Sequence, residues 1–439
     1  MSWRKVKLGD ILTESKIISE NPNPDRRIKV RLKVLGVEKR GLENEVEGAT
    51  KQYIRKAGQF IYGKQNFHKG AFGIVPPELD GYESSSDLPS FDIDKSCLPE
   101  FIFYFFKQGN FYLELSKIAS GVATQRINTS QMFELEVLLP DIKTQKELIS
   151  NIQLLEKNGG EISTELTHQL TLVKKLRQQL LQDAVKGNLV EQNKKDEPAI
   201  ELLKKIKAEK QKLIAEKKLK KEKELPPIKP EEIPFEIPEN WVWCRLNDIC
   251  EAIIDCPHST PHYIENETGY YGIDTNCINE KGVITRLRSL SFESYQERIR
   301  RLVPKENDII YAREGSIGLA TFIPKDKNIC LGQRVMLFRA SKAIIHNYLI
   351  YAVTDVGYKN RLLAKHRGMG AKHVNVKDIV ESLIALPPLA EQNRIVQKID
   401  EFMQYCNELE ESIKQSESQN EKLLQQVLRE ALRKEPVGV

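Results

Sequence analysis

A constant offset of 247 residues organises this chain. Tyr104, Gly121, Asn128, Pro140, Gln145, Ile152, Lys175, Gln178 and Ala184 reappear as Tyr351, Gly368, Asn375, Pro387, Gln392, Ile399, Lys422, Gln425 and Ala431, as in 375 − 128 = 247. A gap-free register over that length marks two copies of one unit, so whatever the first copy builds the second must build as well. Upstream, the block Trp3 to Leu12 recurs as Trp241 to Cys250 at an offset of 241 − 3 = 238. The second copy therefore carries about nine additional residues between Trp241 and Tyr351. The copies vary in front and keep strict register behind.

Each unit divides into a front and a rear. The fronts, residues 1–140 and 235–387, mix short β-rich runs such as Gln59 to Tyr62 and Asp308 to Tyr311 with Gly/Pro/Asn turns and one helical stretch. That composition predicts a mixed α/β globule of the α+β class. The rears, 141–187 and 388–435, read as long helices. The first is opened by Pro140 and a Thr144-x-x-Glu147 capping box and closed near Gly187; the second is opened by Pro387-Pro388 and followed by Pro436. Stepping alternately by four and three residues gives Leu148, Ile152, Leu155, Gly159, Ile162, Leu166, Gln169, Val173, Leu176 and Leu180. The second copy gives Ile395, Ile399, Phe402, Cys406, Leu409, Ile413, Ser416, Asn420, Leu423 and Val427.

A seam of period 3.5 belongs to a coiled coil, and two such helices in one chain are each other's natural partners. The expectation is two globules joined by a long antiparallel two-helix coiled coil with pseudo-two-fold symmetry. The alternative, each helix packing on its own globule, would let the apolar stripe drift to period 3.6. Gly159-Gly160 should cost the first helix about 2 kcal/mol relative to alanine, which predicts a kink there. Between the units, residues 188–234 form a linker: a charged, weakly amphipathic, solvated helix over Asp196 to Lys223, then an extended Pro226-Pro-Ile-Lys-Pro230.

Several function classes fall away on motif grounds. Lys+Arg number 67 against 62 Asp+Glu, too close a balance for a uniformly basic surface, although local basic faces fit. No apolar run reaches the roughly 18 to 20 residues of a membrane helix, and seven irregularly spaced cysteines without a leader-like segment point to the cytoplasm. There is no Gly-x-x-x-x-Gly-Lys-Ser/Thr loop for ATP and no Asn/Asp-Pro-Pro-aromatic run; Asn21-Pro-Asn-Pro24 lacks the second consecutive proline and the aromatic. Pro140-Asp141 sits at a helix entry whose copy, Pro387-Pro388, has no acid, which favours a cap over a nuclease motif. Cys250, Cys256, His258 and His262 could be drawn as a zinc set, but Pro257 and Pro261 interrupt it and the first copy has no counterpart.

The order of motifs resembles the specificity subunit of type I restriction-modification systems over nearly the whole chain. The residues carrying the resemblance are Ser120 to Asn128 running to Leu138-Leu-Pro140, Ala385 to Gln392, Pro238-Glu-Asn-Trp-Val-Trp243, Asp308 to Gly318 and Lys175 to Leu180. The resemblance implies two target recognition domains, each reading half of a bipartite double-stranded DNA site, with helical regions forming the coiled coil. It further implies docking of two modification (adenine methyltransferase) subunits and, through them, restriction (translocase and nuclease) subunits. Such a chain is non-catalytic; S-adenosylmethionine, ATP and magnesium would belong to its partners. A free-standing bipartite DNA-binding regulator is the alternative, and a coiled-coil scaffold without a DNA role is a third reading.

The duplication also sorts residues. If the heads read different half-sites, positions identical in both copies are scaffold, and base readers sit where the copies diverge. Gly121/Gly368 and Asn128/Asn375 are then structural, while Gln125 and Arg126 in the first copy face Lys372 and His373 in the second. The second candidate in the first head is Lys64, Gln65, Asn66, His68 and Lys69, after a β-run; its counterpart is Arg313, with Lys365, His366 and Arg367 adding charge. Arg and Gln offer the bidentate edges that suit guanine and adenine. Arg286, Arg288, Arg298, Arg300 and Arg301 add a basic cluster suited to phosphates.

Overall fold

The computed structural model describes residues 3–41, 50–120, 125–220, 224–365 and 373–432. The chain splits into two compact units, one of Met1–Gln169 with Ser412–Val439 and one of Leu170–Glu411. Each unit thus owns one head and a stretch of both long helices, rather than one copy of the sequence repeat.

In the first unit, strand Arg4–Lys7 pairs antiparallel with Glu136–Leu139, tying the start of the head to the entry of the long helix. A four-stranded antiparallel sheet runs in the order Leu12–Ser15, Ser90–Ile93, Phe60–Tyr62, Phe72–Ile74. Helix Pro99–Lys107 covers it with Phe101, Ile102 and Phe106. The core is aromatic: Phe60, Tyr62, Phe67, Phe72, Phe91, Phe101 and Phe106 are essentially fully buried, with Phe60 and Phe106 rings 5.4 Å apart. Such rings contribute large buried areas and offset or tilted contacts.

The second unit repeats this plan. Val242–Arg245 pairs with Leu383–Leu386, and the sheet order is Cys250–Asp255, Val335–Ala340, Ile309–Ala312, Ala320–Phe322. The helices Pro99–Lys107 and Thr129–Phe133 return as His346–Thr354 and Val376–Val380, at the 247 offset. The extra residues of the second head lie within a segment that builds a further sheet, Arg288–Ser289, Tyr270–Ile273 and Asn328–Leu331, the last two parallel. In the first head the corresponding stretch of chain, between Leu12–Ser15 and Phe60–Tyr62, holds the hairpin Ile28–Val30/Val37–Lys39.

Invariant positions prove to be scaffold. Gln145 accepts from Leu98 N–H (2.8 Å) and donates to Pro140 C=O (2.8 Å); Gln392 accepts from Ile345 N–H (3.0 Å) and donates to Pro387 C=O (3.0 Å). Each of these partners is itself shifted by 247. Asn128 and Asn375 stand at the N-terminal caps of short helices. Gly121 and Gly368 lie outside the described residues.

The first long helix spans Ile142–Lys186 and the second Leu389–Leu432. The first is capped by Asp141, which accepts from the Thr144 N–H at 2.9 Å, rather than by the expected Thr144 box. It ends at Gly187, φ +77°, with Asn188 N–H donating to Asp183 C=O. Gly187 also has no room for a side chain: a Cβ there would lie 2.5 Å from Pro238. Helix continues through Gly159-Gly160, the place of the expected kink or bend. Asn420 donates to the Gly159 carbonyl there at 2.9 Å.

The heptad of the first helix is real, but part of its register shifts by one residue. Leu148, Ile152, Gly159, Leu166, Gln169, Val173 and Leu180 are buried or half-buried as expected, and so are Ile149, Glu156, Ser163, Leu170 and Arg177 beside them. The anticipated Leu155, Ile162 and Leu176 are exposed, as are Leu409 and Leu423 on the second helix. Polar inward residues explain the shift, because they have partners: Glu156 receives Tyr104 and Lys107, and Arg177 holds Asn407 and Glu410 at 2.9 and 3.1 Å. The linker departs further. Helix Ala199–Ala215 buries Ala199, Leu202, Leu203 and Ile206 in the core of the second unit instead of lying solvated. Among the described residues no helix is long and apolar enough to cross a membrane.

Candidate nucleic-acid interface

In the first head, strand Phe60–Tyr62 runs out into Gly63-Lys-Gln-Asn66, a 3₁₀ turn Phe67–Lys69 and Gly70 before strand Phe72–Ile74 returns. Phe67 is the anchor: it is fully buried against Tyr62 (4.5 Å) and Phe106 (4.8 Å), so it holds the loop rather than offering a ring to a base. Lys64, Gln65, Asn66 and His68 remain part-exposed around it and Lys69 is exposed. The His68 imidazole sits below its usual pKa, through burial first and the neighbouring Lys69 second. Its buried Nδ1 meets no hydrogen-bond partner among the described residues.

Ser120 and the segment Arg126-Ile127 lie against this turn. Ser120 and Arg126 exchange two backbone hydrogen bonds at 2.8 Å, and Ile127 N–H donates to the carbonyl of Lys64 at 2.9 Å. Tyr62 secures the junction from beneath by donating its hydroxyl to Ile127 C=O, 3.1 Å. Gln125 is exposed, and Arg126 lies 3.5 Å from Asp87. The two segments singled out in this head therefore form one surface.

The second head makes the same junction. Val374 N–H, 247 residues after Ile127, donates to the carbonyl of Arg313 at 2.9 Å, and Glu314 forms a bridge with His373. The end of the central strand and the returning loop are thus brought together in both heads, although Lys64 and Arg313 are chemically different. His373 and Lys365 are exposed; His366, Arg367 and Lys372 lie outside the described residues.

Arg313 is not a loose reader. Its fork grips Asp255 through Nε (2.7 Å) and Nη2 (3.1 Å), and although burial opposes its charge, that carboxylate holds its pKa above the ordinary arginine value. The arginine cluster also divides. Arg298 is buried and donates to the carbonyls of Leu331, Ser259 and Gly332, and Arg288 pairs with Asp274 at 2.7 Å while lying over Tyr263. Arg286, Arg300 and Arg301 stay exposed. Cys250 and Cys256 belong to different core clusters, and among the described residues no three metal-ligating side chains converge.

Sequence reasoning missed the hairpin Ile28–Val30/Val37–Lys39. Its tip is bound to the Lys69–Gly70 backbone by two 2.8 Å hydrogen bonds from Lys33 and Val34, which adds Lys29, Arg31, Lys33 and Lys39 to the same region. A local excess, Arg26-Arg-Ile-Lys-Val-Arg-Leu-Lys33, was the available signal.

Comparison with known proteins agrees with this plan. The profile described as "Type I restriction modification DNA specificity domain" matches twice, at residues 2–172 and 238–416. The specificity subunits of the Escherichia coli type I restriction enzymes EcoAI and EcoEI are 34% and 30% identical to the chain, over 60% and 61% of it. These alignments span 46% and 47% of those relatives, so the match covers about half of their length. The crystal structure of the HsdS subunit from Thermoanaerobacter tengcongensis superposes with a TM-score of 0.54 at 17% identity, covering 98% of this chain and 97% of that one. A chain from a structure on complex assembly and conformational transition of the type I R-M system gives 0.59 at 19%, covering 98% of each. With four-fifths of its length matched by two successive copies of one profile, the chain belongs to the type I restriction-modification DNA specificity family.

Proposed function

We propose that this chain supplies DNA sequence specificity to a methyltransferase, and to restriction subunits joined through it, by reading a bipartite double-stranded site with its two heads. The observation that carries the reading is the repeated junction: Ile127 to Lys64 in one head and Val374 to Arg313 in the other. One scaffold presents two differently equipped loops, which is what two unlike half-sites require. In the first head Lys64, Gln65, Asn66, His68, Lys69, Gln125 and Arg126 face the DNA. In the second, Lys365, His366, Arg367, Lys372 and His373 do so, and Arg313 positions its loop through Asp255.

The two long helices pair antiparallel as a coiled coil that sets the half-site separation and gives the molecule a pseudo-two-fold axis. Contacts inside each unit support the pairing: Gly159 with Asn420 in one, Arg177 with Asn407 and Glu410 in the other. The exposed row Leu155, Ile162 and Leu176 has its equivalent in half-buried Phe402 and exposed Leu409 and Leu423. An apolar row offered twice suits two copies of one docked partner, the modification subunits. S-adenosylmethionine, ATP and magnesium are bound by those partners, and catalysis is theirs.

Reconstitution tests the reading. The chain alone is expected neither to methylate nor to cleave, and a partner methyltransferase acquires a bipartite site only in its presence. Tight site binding by the chain with no methyltransferase retained would favour a free-standing regulator instead.

A further inference from the structure

The missed hairpin ends in a six-residue tip, Arg31-Leu-Lys-Val-Leu-Gly36. Lys33 and Val34 take φ of 57° and 59°, the left-handed region that a β-branched residue enters only when its surroundings force it. The force is the pair of hydrogen bonds to the carbonyls of Lys69 and Gly70, each 2.8 Å. The approach is so close that a Cβ on Gly70 would lie 2.9 Å from the Val34 nitrogen. Val34 consequently packs against the aromatic core, while Leu32 and Leu35 on either side remain 44% and 59% exposed.

A braced tip that holds two leucines in water is a costly way merely to close a hairpin. Among the described residues of the hairpin and turn the surroundings are cationic: Lys29, Arg31, Lys33, Lys39 and Lys69 are exposed, with Glu38 the acid among them, 3.2 Å from Lys29 and 3.5 Å from Arg31. Apolar side chains on a rigid projection, ringed by cations, match the make-up of a wedge that enters the minor groove and unstacks a base step while the cations hold phosphates.

We propose that Leu35, supported by Leu32, is a DNA wedge of the first head. This deepens the reading of that head as a DNA-binding surface and rests on it. The tip reaches the recognition loop through Lys69, so DNA lying across Lys64 to Lys69 meets the leucines as well. Deformability at the wedged step would then add specificity beyond base-edge contacts.

The test uses the full chain and a duplex of about 40 base pairs, long enough for two half-sites a helical turn or more apart. The duplex is enriched from a random pool by that chain, with 2-aminopurine placed at successive positions. Wild type should raise fluorescence severalfold at one step. Leu35→Ala and the Leu32→Ala/Leu35→Ala double variant should lose that signal and bind about tenfold more weakly, with an unchanged unfolding midpoint because both residues are exposed. Lys33→Gln should keep the signal and lower the salt dependence by about one phosphate contact. Full signal and affinity in the double variant would overturn the wedge while leaving DNA reading intact. The same outcome with weakened methyltransferase capture would assign the tip to a protein partner. Failure of wild type to enrich any duplex would instead refute the DNA reading itself.

Discussion

Gln145 and Gln392 show how much one residue type can fix when it is buried and fully paired. Each joins a helix entry to the start of another helix by matching hydrogen bonds. Truncating either to alanine leaves a backbone N–H and a carbonyl unpaired, at about 1–3 kcal/mol for each buried group. Denaturant unfolding should record that loss, carried by Gln145→Ala in the first unit and by Gln392→Ala in the second. Glu391 adds a pH dependence. Burial raises its carboxyl above the ordinary 4.5, although Trp241 and Gln192 donate to it. The folded state then holds the proton more tightly than the unfolded chain, so this group's contribution falls as pH rises from 4.5 through the raised value. Stability of wild type relative to Glu391→Gln should decline over that window; a flat difference from acid to neutral pH would contradict the assignment.

At the scale of elements, the long helices separate what pattern can and cannot tell. Alternating steps of three and four were visible, and of the positions named on the first helix only Leu155, Ile162 and Leu176 prove exposed. Beside two of them Glu156 and Arg177 turn inward to meet partners, which an apolar count does not see. The prediction is a contrast between neighbours. Val173→Asp buries a charge at an 8% exposed site and should destabilise by several kcal/mol, whereas Leu176→Asp, at 44% exposure, should stay within about 0.5 kcal/mol in thermal unfolding. Leu176→Asp should nevertheless weaken methyltransferase co-purification, since that row is the proposed dock.

The strands of both heads were legible from Gln59 to Tyr62 and Asp308 to Tyr311. The hairpin tip was not, because its conformation is imposed by Lys69 and Gly70, distant in sequence. For the candidate site, divergence between the copies singled out the loops, but that they pair through Ile127 and Lys64 is a contact between distant segments that no local pattern carries. That Phe67 is an anchor and that Arg313 is tied to Asp255 depended on packing and on a partner 58 residues away.

On the scale of the whole molecule, the proposed function makes the duplication a division of labour, in which repeated helices would present equivalent faces and divergent loops on a common scaffold would read different sequences. If the helices act as the spacer, inserting two turns, about seven residues, into each should lengthen the preferred half-site separation and leave both half-sequences unaltered. Insertions that leave the separation unchanged would remove the helices from that role. The central claim is that specificity resides here and chemistry elsewhere. It is tested most directly by mapping methylated adenines across a genome that expresses the partner methyltransferase with and without this chain. The account predicts one bipartite motif that appears only with the chain and loses its first half-sequence alone when Lys64, Gln65, Asn66, His68 and Lys69 are replaced and the buried anchor Phe67 is kept. Methylation of the same motif without the chain, or loss of both halves together, would contradict it.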